Sequence, residues 1–329
     1  MNVQLTARPA TSDAPRKFEN PDITAKGEPR ARVALTKLET LWINTGTLCN
    51  IACVNCYIES TPTNDRLVYI RADEASAYFE EITTLGLGTR EIGFTGGEPF
   101  MNPDMLAMLE DALGRGFDVL VLTNAMQPMQ RPKVRDGLAR LIERFGAKLT
   151  IRVSLDHYTR ELHEEERGAA TWDKAIAGLD WLSGVGAQIA IAGRTCFNET
   201  DDQSRGGFAR LIAERGWDID PEDRNRLVLL PEMDGGDDVP EITTACWSIL
   251  GKKPSDIMCA SSRMVVKRKG EEQPVVLPCT LLPYDAAFEM GTTLAASTSA
   301  DGGMFAKGAV KLCHSNCAKF CVLGGGSCS

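Results

Sequence analysis

The sequence predicts an α/β fold, a partial (β/α)6 TIM-like barrel followed by a small C-terminal cysteine-rich domain. Three observations carry this. Short apolar, β-branched runs alternate with stretches of helical period from residue 38 to about residue 232. That rhythm stops near residue 240. Cysteine is clustered rather than spread, with three in 49–56 and four in 313–328.

Taken in order, residues 1–38 are polar and carry Pro9, Pro15, Pro21 and Pro29, which predicts an arm or a poorly ordered lead-in. Strands are expected over 38–46, 91–97, 118–124, 148–156, 187–193 and 226–232. Amphipathic helices are expected between them, among others over 72–86, 103–116 and 171–186. Pro103 suits a first helical turn and Gly116 a helix stop. Alternating strands and helices imply parallel pairing with right-handed crossovers. A full barrel has eight such units. Six fit an incomplete one, over residues 39–240. In the remaining unit, 241–329, "RMVVKRK" and "QPVVLP" read as a hairpin turning at "GEE", with Cys259 and Cys279 on its flanks. The segment "LCHSNCAKFCVLGGGSC" follows, and metal more than an apolar core is expected to organise it.

Composition narrows the function. Of 329 residues, 43% are hydrophobic and 25% charged, which is ordinary for a globular protein. A net charge of -9 argues against non-specific nucleic-acid binding and against anionic membranes. Neither a membrane-length apolar run nor a signal-peptide stretch is present, so a cytoplasmic protein is expected. With eleven cysteines and three histidines, any metal site relies on thiolate, which suits iron–sulfur clusters and zinc.

Cys49, Cys53 and Cys56 form C-x3-C-x2-C just after the first strand. In parallel α/β folds, sites gather at the C-terminal ends of strands. Structural zinc and ferredoxin clusters take four protein ligands. Three thiolates hold three irons of a [4Fe–4S] cluster and leave the fourth open. One βα unit later stands "FTGGEPFMNPD", in which Gly96 and Gly97 permit close backbone approach and Glu98 offers a carboxylate to an ammonium. This combination resembles the radical S-adenosylmethionine (radical SAM) superfamily. The resemblance implies a [4Fe–4S] cluster on Cys49, Cys53 and Cys56, with SAM on the open iron and its amine at Glu98. It further implies an aromatic residue after the last cysteine, here Tyr57, and contacts to SAM from Ser154 and Arg167. Homolytic cleavage of SAM would give a 5′-deoxyadenosyl radical that takes a hydrogen atom from a substrate.

Other positions read two ways. Asn124 is a cofactor contact or a turn asparagine. Arg167 is a carboxylate partner or one arm of a surface salt bridge among Glu164, Glu165 and Glu166. Arg194 is a further carboxylate partner or a solvated loop charge. His157 and His163 are given no catalytic role, and Cys196 reads as a small buried residue. Cys259, Cys279, Cys313, Cys317, Cys321 and Cys328 hold zinc or an iron–sulfur cluster. Their order resembles the auxiliary-cluster domains called SPASM and twitch, although a full SPASM domain uses seven cysteines at other spacings. That resemblance implies at least one auxiliary [4Fe–4S] cluster. The expected substrate is a peptide, protein or small metabolite, with an electron donor such as flavodoxin or ferredoxin. An iron–sulfur electron carrier and a zinc-stabilised binding module are the alternatives.

Overall fold

The computed structural model describes residues 16–195, 197–231 and 238–324, so Cys196 and Cys328 lie outside the described residues. All six expected strands form: β1 Thr40–Asn44, β2 Glu91–Thr95, β3 Asp118–Thr123, β4 Leu149–Ser154, β5 Gln188–Arg194 and β6 Leu227–Leu230. Each pairs in parallel with the next, in chain order and register, as in Leu41↔Ile92 and Ile92↔Val119. The intervening helices are α1 Ala72–Leu85, α2 Met105–Gly114, α3 Pro132–Phe145, α4 Arg160–Arg167, α5 Trp172–Gly184 and α6 Asp201–Arg215. They cover the outer face, where Phe79, Met108, Leu138 and Leu179 bury fully against Leu41, Ile43 and Val121. Burial on both faces explains why these strands read as continuous apolar runs instead of alternating ones. Inside the curved sheet, Trp42, Leu120 and Met264 form a second buried cluster with Ile58 and Leu67.

The expected hairpin forms as β7 Ser262–Val266 and β8 Val275–Leu277, paired antiparallel. It is not an appendage. Strand β7 adds in parallel to the free edge of β1, with Leu41 opposite Arg263, so the sheet has eight strands in the order β6-β5-β4-β3-β2-β1-β7-β8. Every residue of β7 is buried.

The polar lead-in also departs from expectation. From residue 17 onward it is tied to the C-terminal unit. Arg30 is fully buried and paired with Glu241 at 2.5 Å, while Arg32–Val33 pairs antiparallel with Ala309–Lys311. Buried Ala31 and Val33 supply the apolar contacts that the proline count concealed. Among the described residues, no helix is long and apolar enough to cross a membrane.

Candidate active site

A cavity of about 1090 Å3, open to solvent at its mouth, lies at the C-terminal ends of β1–β6. The Cys49, Cys53 and Cys56 side chains line it, together with Tyr57, Gly96, Gly97, Asn124, Ser154, Arg167 and Arg194. Nearly every residue that the sequence singled out for this end of the barrel is thus brought to one place.

The cysteine loop after β1 is fixed from several sides. Cys49 N–H donates to Thr61 O at 3.1 Å, and Ser60 N–H donates to Cys56 Sγ at 3.3 Å. From α4, Glu166 accepts both the Val54 N–H and the Asn55 side-chain amide. Arg194, at the end of β5, donates to Asn55 O at 2.8 Å. Gly97 makes the loop's approach possible: a Cβ there would stand 2.1 Å from Leu48 O. Gly96, at φ +144°, would bring a Cβ 2.5 Å from Gly46 O. Asn124 closes a turn and also reaches the cysteine loop. Its Oδ1 accepts from Met126 N–H, closing a turn, and its Nδ2 donates to Asn50 Oδ1 at 2.9 Å and lies 3.9 Å from Cys49 Sγ.

Glu98 differs from its expected place. It is buried and does not line the cavity. Its Oε1 accepts from Thr123 Oγ1 at 2.8 Å and Phe100 N–H at 3.2 Å, and its Oε2 from Asn124 N–H at 2.9 Å. Burial pushes its carboxyl up to about 6 against those three hydrogen bonds. In this geometry the carboxylate ties the end of β3 to the glycine turn.

The arginines are not surface groups. Arg167 meets Asp156 twice, Nε to Oδ2 at 2.7 Å and Nη2 to Oδ1 at 2.9 Å, and none of Glu164–Glu166 pairs with it. Arg194 Nε approaches the same carboxylate at 3.4 Å. Asp156 was missed in the sequence. Its signal was position, since it stands two residues beyond the C-terminal end of β4, where such sites gather. Burial works to raise the Asp156 carboxyl, but the two guanidiniums outweigh it and hold the group below the usual carboxylate range. His163 is also buried, with neither ring nitrogen hydrogen-bonded, and burial drives it down to about 4.

Two observations test whether this site suits the cofactors that the sequence implies. Burial pushes the Cys49 thiol up to about 12 and also raises Cys53, against the pull of Arg167. Buried thiols grouped in this way become thiolates readily only when a cation joins them, as iron does. The second observation is Arg194 Nη1, a buried donor without a hydrogen-bond partner among the described residues, on a residue that lines the cavity. A carboxylate would satisfy it. The residues fit both groups.

A second, small cavity lies under the C-terminal unit, lined by Cys259, Cys279, Cys317 and Cys321 among apolar side chains. Cys259 and Cys279 flank the β7–β8 hairpin, and Cys317 and Cys321 belong to the π-helical segment Cys317–Leu323. All four are buried. Cys313 departs from the expected ligand set. Its Sγ donates to Phe18 O at 3.2 Å and Asn20 O at 3.4 Å, and it does not line this cavity. Cys246 accepts the Thr243 N–H instead of joining them. Among the described residues, no three His, Cys, Asp or Glu side chains are gathered as ligands of one ion.

Residues 43–212, just over half of the chain, match the family described as the Radical SAM superfamily. Over 202 residues the chain is 28% identical to a GTP 3′,8-cyclase of Microcystis aeruginosa, covering 56% of each chain. Over 145 residues it is 29% identical to the antilisterial bacteriocin subtilosin biosynthesis protein AlbA of Bacillus subtilis, covering 44% of this chain and 30% of AlbA. The chain thus spans about half or less of the length of these relatives. The fold is similar to that of Streptococcus suis SuiB bound to S-adenosylmethionine, with a TM-score of 0.58 at 14% identity, covering 80% of this chain and 66% of that one. From β1 to α6 the matched segment holds the three-cysteine loop and its glycine turn, and the chain belongs to the radical SAM superfamily, with a cysteine-rich region following the matched segment.

Proposed function

We propose that this chain is a radical SAM enzyme with two [4Fe–4S] clusters, one on Cys49, Cys53 and Cys56 and an auxiliary one on Cys259, Cys279, Cys317 and Cys321. The observation that supports it best is the single cavity that collects three thiols and Arg194 Nη1, which has no hydrogen-bond partner among the described residues. When bound, a reduced cluster with an open iron supplies the reductive cleavage of SAM to methionine and a 5′-deoxyadenosyl radical, which abstracts a hydrogen atom.

The chain's own groups bind and orient. Arg194 receives the carboxylate of SAM. Arg167 stands beside Cys53 and is held by Asp156, which acts as a positioning residue for both arginines. Gly96 and Gly97 leave room for the cysteine loop. Tyr57 and Ser154 line the wall, with the Tyr57 hydroxyl 3.2 Å from Thr95 Oγ1. The apolar wall of Leu122, Val228 and Leu230 keeps water from the reacting centre. With four thiols, the auxiliary cluster is saturated by protein and passes electrons without binding substrate. AlbA, a bacteriocin biosynthesis protein, favours a peptide substrate. The GTP 3′,8-cyclase favours a small molecule. A flavodoxin or ferredoxin is the proposed reductant.

The test is formation of 5′-deoxyadenosine. The protein is reconstituted without oxygen, reduced with dithionite and given SAM, beside Cys53→Ala. Product from the wild type alone supports the reading. No product, with or without peptide and nucleotide candidates, from protein that holds its full iron overturns it in favour of an electron carrier.

A further inference from the structure

Arg263, on β7, is fully buried. Its Nη1 donates to Cys259 O at 2.7 Å and Ser262 O at 2.8 Å, while its Nε and Nη2 have no hydrogen-bond partner. Several other arginines with little exposure meet carboxylates: Arg30 meets Glu241, Arg167 and Arg194 meet Asp156, and Arg205 meets Asp201. Among the described residues Arg263 meets none. A guanidinium keeps its proton, and an unpaired buried charge is strongly disfavoured. Two of the thiols that line the auxiliary cavity, Cys259 and Cys279, are the groups whose charge favours its protonated form, while burial works against it. Among the described residues the guanidinium has no carboxylate counter-charge, and it gains a counter-charge when those thiols become ligands.

We propose that Arg263 is the built-in counter-cation of the auxiliary cluster and holds its reduction potential up, so that the cluster readily takes an electron. This rests on the auxiliary-cluster reading above. One-electron reduction adds one negative charge to a cluster already made anionic by four thiolates. A fixed positive charge beside it, in a site closed to water, stabilises the reduced form more than the oxidised one. The unused Nε and Nη2 donors are the polar groups available to act on the cluster from outside its ligand set.

The test is a potentiometric titration of the full chain with both clusters loaded, with dithionite as reductant and electron paramagnetic resonance as readout. Adding SAM tells the signals apart, because it alters only the first cluster. Arg263→Met is expected to lower the reduced-to-oxidised ratio of the auxiliary cluster at least tenfold at the wild-type midpoint, which for one electron is 59 mV or more. Arg263→Lys stays within threefold of wild type, and the first cluster's midpoint does not move in either variant. An auxiliary midpoint unchanged in a cluster-bearing Arg263→Met protein overturns the proposal. If Arg263→Met does not retain the cluster, Arg263→Gln and Arg263→Lys decide by their iron content. Retention in Lys but not Gln supports a charge requirement, and loss in both overturns it. A wild type that holds iron for one cluster only overturns the auxiliary-cluster reading itself, an outcome visible before any variant is made.

Discussion

Replacing Asp156 by Asn keeps the size of the side chain and removes the charge that two buried arginines share. The carboxylate is 2% exposed and makes contacts of 2.7 and 2.9 Å to Arg167 and 3.4 Å to Arg194. Breaking a buried pair by removing one partner costs about 3–5 kcal/mol. Asn still accepts one hydrogen bond, so the lower end, about 3 kcal/mol, is expected, or roughly 4 °C in thermal midpoint for a chain of this size. The sign with pH follows from the depressed folded pKa of Asp156. Its contribution is present above the unfolded value, about 3.9, and is lost as pH falls through the folded value. The gap in melting temperature between wild type and variant therefore stands at pH 7 and narrows in acid. The loosened arginines also weaken SAM binding at least tenfold, about 1.4 kcal/mol. Anaerobic thermal melts and equilibrium dialysis of SAM, both on cluster-loaded protein, measure the two effects. An Asp156→Asn protein that melts with wild type at pH 7 and binds SAM equally well would refute the positioning role.

Three further outcomes are expected. Gly97→Ala places a Cβ 2.1 Å from Leu48 O, so the cysteine loop must shift; iron analysis should show the first cluster lost and the auxiliary one kept. Glu98→Gln leaves one of three buried donors unsatisfied, which costs about 1–3 kcal/mol in thermal stability, and it changes SAM affinity less than threefold because the carboxylate oxygens are taken up by Thr123, Phe100 and Asn124. The raised carboxyl of Glu98 means that wild type loses stability as pH rises from about 4.5 to about 6, by roughly 2 kcal/mol; melts of Glu98→Gln across that range should lack this component. Cys313→Ser is expected to keep its auxiliary iron, since its sulfur bonds Phe18 and Asn20 carbonyls, whereas Cys317→Ser loses it.

Local pattern carried much of this structure. The six parallel strands were legible because strands buried on both faces are short, apolar and β-branched, and helices of regular period separate them. The three-cysteine loop and the Gly-Gly-Glu-Pro turn were legible because spacing within a loop is visible in one line of sequence. What stayed hidden depends on distant partners. The pairing of β7 with β1 joins residues over two hundred positions apart, and nothing in "RMVVK" names Leu41 as its neighbour. Arg167 lay beside three glutamates in sequence, but the fold turns it to Asp156. Glu98 shows the converse: the motif suggested a carboxylate offered to an ammonium, but its side chain is held by donors from Thr123 and Asn124 at the end of the next strand. The order of the C-terminal cysteines likewise did not reveal that the N-terminal arm takes Cys313.

The central claim is that the three-thiol cluster keeps one iron for SAM in the cavity that Arg194 lines. Electron paramagnetic resonance of the reduced protein tests this most directly, in a Cys317→Ser background that removes the auxiliary signal. The account predicts that SAM changes the spectrum of the remaining cluster and that Cys53→Ala abolishes both the signal and the change. A fully loaded first cluster whose spectrum is indifferent to saturating SAM would contradict it.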